Sequence, residues 1–205
     1  MISRHTLWPV SPGVVYSLAP AGGSELIGRG EYYARQPRSR NGLTAKLQHA
    51  LELNEIHLAL KRTGVLVRWT PECVIRSSNA LTRIGYAKDY DALIAVRIDG
   101  QECCFALEYE RTNKSKASYD AIQERIEQET RVHHFLYLIP NHDLLLYVMR
   151  SFSGGKRAVH FGLSRDFLVE TLNLQVQSNQ SPISMMWRTV MSEQRIPEPE
   201  CPARA

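Results

Sequence analysis

The chain is short of the features that mark the most easily read protein classes. It has only 4 cysteines among 205 residues, and Cys73, Cys103, Cys104 and Cys201 form no CxxC pair. That spacing argues against a zinc ribbon and against a disulfide scaffold. Cys103 and Cys104 are adjacent; on a strand they point to opposite faces, so no bridge between them is expected. The thiols are read as reduced, as in a cytoplasmic protein. No apolar run approaches the roughly 18 residues of a membrane span, and Met1-Ile2-Ser3-Arg4-His5 leads into no signal-type apolar segment. A soluble chain with no membrane partner is expected. Strong charge of one sign is also lacking: 25 Lys and Arg against 21 Asp and Glu give a formal net charge of +4. This is a mild attraction to anionic partners, not a polycationic tail. There is no internal repeat and no P-loop. Ser153-Gly154-Gly155-Lys156-Arg157 lacks the GxxxxGK[ST] spacing and is read as a turn, with a phosphate contact as the alternative.

What is present suits one domain with appendages. Apolar residues make up 43% of the chain, enough to fill a core. Arg4, Arg29, Arg35, Arg38, Arg40, Lys46, Lys61 and Arg62 load the first third with positive charge, while acids concentrate between Asp89 and Glu129. Residues 1–43 hold a short strand pattern, Val14 to Leu18, and then an Arg-rich linker. From 44 the pattern is helical, with Thr44 as cap, Leu47, Leu51, Ile56, Leu58 and Leu60 as apolar positions, and Gly64 as stop. Val65 to Trp69 reads as a strand ended by Pro71, and residues 72–88 show no clear period. Ala92 to Ile98 and Cys103 to Tyr109 are strands joined at Asp99-Gly100, a strong hairpin signal. A helix follows from Ser115 or Ser118 to about Thr130. A strand spans His134 to Ile139, and then comes a helix capped by Asn141. A strand from Ala158 to Gly162 and a helix over 164–175 complete the core. The tail, 194–205, has prolines and no period, and disorder is expected there. The fold class implied is α/β, a small mixed sheet flanked by helices.

Three acids stand out by position. Asp91 precedes the first hairpin strand, and Glu108 and Glu110 close the second. Alternation along a strand puts both glutamates on one face. Folding about Asp99-Gly100 makes paired positions sum to about 199, so residue 108 or 109 falls opposite Asp91. Three converging carboxylates need compensation, and Mg²⁺ or Mn²⁺ is the usual answer. Such an ion could polarise a phosphodiester and activate water. Asp91, Glu108 and Glu110 are therefore the candidate metal ligands and catalytic acids. Lys116 or Lys114 is the candidate for neutralising a scissile phosphate. Arg111, Lys114, Lys116 and Gln123 are candidate nucleic-acid contacts, with Lys116, Tyr119 and Gln123 rising along one helix face. Glu52 or Glu55 could add a further carboxylate. The competing reading is a solvated acidic rim and an ordinary exposed helix face.

The order helix, strand, Asp91, hairpin, Glu108-Tyr109-Glu110, helix, strand resembles the PD-(D/E)xK, restriction-endonuclease-like superfamily from about Thr44 to Pro140. The resemblance implies an αβββαβ core. Tyr90 stands where that pattern has Pro, and Glu110 where it has Lys. A narrower resemblance is to the replication-relaxation family of plasmids and other mobile elements. It is carried by His49-Ala50-Leu51-Glu52-Leu53-Asn54-Glu55-Ile56, Gly64 to Glu72, Tyr90-Asp91-Ala92, Phe105 to Thr112, and Tyr119. That family implies a winged helix ahead of the core, and Val14 to Gly22 looks like its wing strand and turn.

The domain division expected is a wing-like remnant and basic linker over 1–43, a nuclease-like core with C-terminal helical additions over 44–193, and the tail. The function expected is a DNA-binding protein of a mobile element, acting in replication, mobilisation or processing, with metal-dependent phosphodiester cleavage as its enzymatic version. The alternative is a non-catalytic interaction or dimerisation module on a degenerate nuclease fold, with Met185, Met186 and Trp187 at a homodimer or partner surface.

Overall fold

In the computed structural model, residues 2–6, 14–18, 40–82 and 85–193 are described. The chain divides into two compact units, Met1–Gln48 and His49–Ala205. In the first, β1 (Ile2–Thr6) and β2 (Val14–Leu18) pair antiparallel, with Ile2 opposite Leu18. The expected strand at 14–18 is there; its partner at the N-terminus was not expected. The linker up to residue 39 and the tail 194–205 lie outside the described residues.

Helix α1 (Arg40–Arg62) begins before Thr44, so Thr44 sits inside it and does not cap it. The second unit is built on a seven-stranded mixed sheet of neighbours β3-β4-β5-β6-β7-β8-β9. The strands are β3 (Leu66–Pro71), β4 (Ala92–Ile98), β5 (Gln101–Tyr109), β6 (His134–Ile139), β7 (His160–Leu163), β8 (Gln175–Ser178) and β9 (Ser181–Met186). β5, β6 and β7 run parallel, and the remaining pairings are antiparallel. Parallel neighbours require crossovers, and α3 (Lys116–Gln128) and α4 (His142–Ser151) supply them. Ser115 caps α3 and Asn141 caps α4, each side chain accepting a backbone N–H three residues on.

Alternation along the strands sorts the core into two layers. Ile94, Val96, Phe105, Leu107, Leu136 and Leu138 face α1, α5 (Ser164–Glu170) and α6 (Trp187–Glu193), meeting Ile56, Leu60, Phe167, Trp187 and Val190. Ala106, Phe135, Tyr137 and Ile139 face α2 (Glu72–Leu81), α3 and α4, meeting Ile75, Tyr119, Ile126, Leu144 and Val148. All six residues of β6 are buried, as expected of a strand covered on both faces.

Three expectations are corrected. Residues 72–81 form α2. The helix expected over 164–175 stops at Glu170; a short 3-10 turn, Thr171–Asn173, breaks it, and the chain becomes β8 from Gln175. Trp187, readable as either a core or an interface aromatic, lies in one core layer, edge-on to Phe105 with ring centroids 5.4 Å apart, so the partner-surface reading falls and the core reading holds. Among the described residues no helix is long and apolar enough to cross a membrane.

Candidate functional site

The hairpin register delivers the acids to one place. Ala92 pairs with Leu107, and Ile98 with Gln101, so the turn at Asp99-Gly100 brings Asp91 beside Glu108 and Tyr109. Asp91 Oδ2 accepts the Tyr109 backbone N–H at 2.7 Å, and its Oδ1 meets His49 Nε2 at 3.1 Å. His49 comes from α1 and stacks on the Tyr109 ring. Donating to the Asp91 carboxylate holds the His49 imidazole above its ordinary pKa despite partial burial. Glu52, one turn further along α1, forms an ion pair with Arg111 Nε at 2.8 Å.

Glu108 and Glu110 are both buried, at 8% and 5% exposure. Lys88 Nζ donates to Glu108 Oε1, and Lys114 Nζ donates to Glu110 Oε2. Burial pushes the Glu108 carboxyl up to about 7, with Lys88 pulling against it. Glu108 sits opposite Tyr137 of β6. Tyr137 is fully buried, and its hydroxyl has no hydrogen-bond partner among the described residues. Burial, with Glu108 and Tyr90 next, raises its pKa well above the usual tyrosine value.

The segment carrying Lys88 and Asp91 is pinned from both sides. Asn79 Oδ1 accepts the Tyr86 N–H at 2.7 Å, and Asn79 Nδ2 donates to Asp89 at 2.7 Å. Buried Glu129, just past α3, accepts from the Ala87 N–H at 3.0 Å and the Tyr90 hydroxyl at 3.1 Å. The Arg131 guanidinium lies 4.3 Å from the Tyr86 ring centroid. Gly85 runs so close to Asn79 that a Cβ would meet Asn79 Oδ1 at 2.7 Å, so any side chain at 85 would push against the Asn79 amide that holds this segment.

The structure thus brings together Asp91, Glu108, Glu110, Lys114 and Arg111 from the expected set. It does not bring in two others. Lys116 is 76% exposed and pairs with Asp120 on its own helix at 2.8 Å. Gln123 lies against Gly155, part of the turn after α4. Nor do Lys116, Tyr119 and Gln123 make one exposed row, because Tyr119 is fully buried in the core. The Ser153–Arg157 stretch is a turn, held by Gln180 Nε2 donating to the Gly155 and Lys156 carbonyls.

His49, Lys88, Glu129 and Tyr137 were not singled out from the sequence. Lys88 had a usable signal, lying three residues before Asp91 in Lys88-Asp89-Tyr90-Asp91. His49 had one too, three positions before Glu52 on the same helix face.

Compensation of the acids comes from the protein itself. His49, Lys88 and Lys114 each meet one carboxylate. Among the described residues no three His, Cys, Asp or Glu side chains gather as a metal-ligand set. Each carboxylate that a Mg²⁺ or Mn²⁺ ion would need is already engaged by a cation of the protein. The acids and their cations form a cluster at the C-terminal end of β5, beside the start of β4, and strand C-terminal ends are the usual place for a ligand in an α/β sheet. The chain matches no family model, no curated protein and no solved structure, so the resemblance to the replication-relaxation family rests on the quoted residues alone.

Proposed function

We propose that this chain is a DNA-binding protein on a restriction-endonuclease-like core, with its phosphate-contacting site at the C-terminal end of β5. The order α1, β3, β4, β5, α3, β6 agrees with an αβββαβ core into which α2 is inserted. The observation that carries the reading is the pairing of Lys88 with Glu108, Lys114 with Glu110 and His49 with Asp91, with Arg111 held on Glu52, so that the acids are neutralised in place. Three bare carboxylates would repel a phosphate; paired ones leave the cations' remaining donors to meet it. Lys114 is the most open of the cations, with its side chain 42% exposed. The mobile-element setting, whether replication or mobilisation, rests on the family resemblance. Binding without cleavage suits the geometry better than metal-dependent hydrolysis, because each acid already has its counter-charge.

The test measures DNA affinity against salt with the full chain. Affinity should fall about tenfold or more for a severalfold rise in salt. Lys114→Ala should weaken binding to all sequences alike and flatten the log–log slope by about 1. Salt-insensitive or undetectable binding would remove the DNA reading. A plasmid-nicking assay with Mg²⁺ or Mn²⁺ should leave supercoiled DNA intact; nicking that disappears in Asp91→Ala would replace binding with hydrolysis.

A further inference from the structure

A second cleft lies at the other end of the sheet, beside the Asp99-Gly100 turn. Arg97 stands near the far end of β4 from Asp91, about 20 Å away along the strand. The cleft is about 330 Å³, and its lining includes Arg97, Arg188, Asp99, Thr171 and the apolar Val65, Ile98 and Leu172. That is the lower end of the range for pockets that hold small organic molecules.

Three features point to one kind of occupant. First, two guanidinium groups border the cleft, each a fork of donors suited to an oxyanion. Arg97 has no acidic partner among the described residues, and Arg188 makes only a long 3.6 Å contact with exposed Asp99. Second, Val65, Ile98 and Leu172 supply an apolar wall, which bare inorganic phosphate would not use. Third, Thr171 takes φ 49 and ψ −112 where α5 ends. A β-branched residue at positive φ is strained, and such strain concentrates where a loop must present a defined surface. It turns the chain sharply, placing Leu172 in the core and Thr171 on the cleft.

We propose that this cleft binds a small organic molecule carrying a phosphate or carboxylate, with Arg97 and Arg188 on the oxyanion and the apolar wall on its body. The site is separate from the acid–lysine cluster, and it stands whether or not the chain binds DNA.

The experiment titrates isotope-labelled full chain with phenyl phosphate, benzoate and phenol, following backbone amide shifts. Phenyl phosphate, benzoate or both should move the amides of Val65, Gly100 and residues 171–173; phenol should not. The stronger of the two anions identifies the oxyanion. Arg97→Ala and Arg188→Ala, both at exposed positions, should each weaken binding about tenfold or more, as expected for loss of one charge-assisted contact. Thr171→Gly should raise Tm by about 3 °C through relief of strain and lower anion affinity. No shift with either anion, equal shifts with phenol, or affinities untouched in both arginine variants would each overturn the site. Unchanged affinity in Thr171→Gly would remove Thr171 from it.

Discussion

Tyr137 and Glu108 stand opposite each other on β6 and β5, and only Glu108 has a hydrogen-bond partner. A buried hydroxyl without a partner costs about 1–3 kcal/mol in lost hydration. Tyr137→Phe removes that cost and keeps the ring contacts with Phe152 and Phe161. Urea unfolding of the variant should show a midpoint shifted upward by about 1 kcal/mol of stability with an unchanged slope. A loss of stability of that size would mean that the hydroxyl has a partner, and a bound water is the simplest one. The same residues show what a sequence discloses at this scale. Asp91, Glu108 and Glu110 were legible because strand alternation and a two-residue turn fix where they go. Their partners were not, because Lys88 reaches Glu108 from an irregular segment and His49 reaches Asp91 from a helix. No local period encodes either approach.

At the scale of elements, legibility followed the strength of local signals. The Asp99-Gly100 turn gave the pairing sum of 199, and the register Ala92 to Leu107 has that sum. His134–Ile139 was readable to the residue, because β-branched and aromatic residues run up to Pro140. α2 was not readable. Its sequence holds two serines, a single buried residue, Ile75, and no side-chain cap, so packing against the sheet must hold it in place. β8 and β9 were missed because they meet at Asn179-Gln180 without a turn glycine, and because β9 is an edge strand with Pro182 in it. Caps are the opposite case. Asn141 was read from sequence, and its side chain accepts the Leu144 N–H at 2.9 Å. Asn141→Ala should cost about 1 kcal/mol, visible as a lower Tm, whereas a Ser replacement should keep most of it.

At the scale of the molecule, three buried groups whose pKa values burial shifts, His134, His160 and Glu108, bear on the response to acid. His134 and His160 lie against Trp187, and burial lowers each imidazole from 6.5 to about 4. A histidine with a lowered folded pKa contributes stability above its unfolded value, and that stability is lost as pH falls toward the folded one. Each loses about 3 kcal/mol between pH 6.5 and 4. Glu108 works the other way. Its carboxyl is raised from 4.5 to about 7, so acidification relieves a buried charge and returns about 3 kcal/mol over the same span. His49, held above its ordinary value by Asp91, contributes fully below pH 6.5 and loses that contribution only as pH rises through its folded value. Two losses against one gain leave a net loss of about 3 kcal/mol on going from neutral pH to pH 4. Denaturant unfolding at steps across that range should show the decline. Replacing His134 and His160 together by leucine should reverse it, because Glu108 alone then makes the protein more stable in mild acid. A double variant that still declines as the parent does would place the acid sensitivity elsewhere in the molecule.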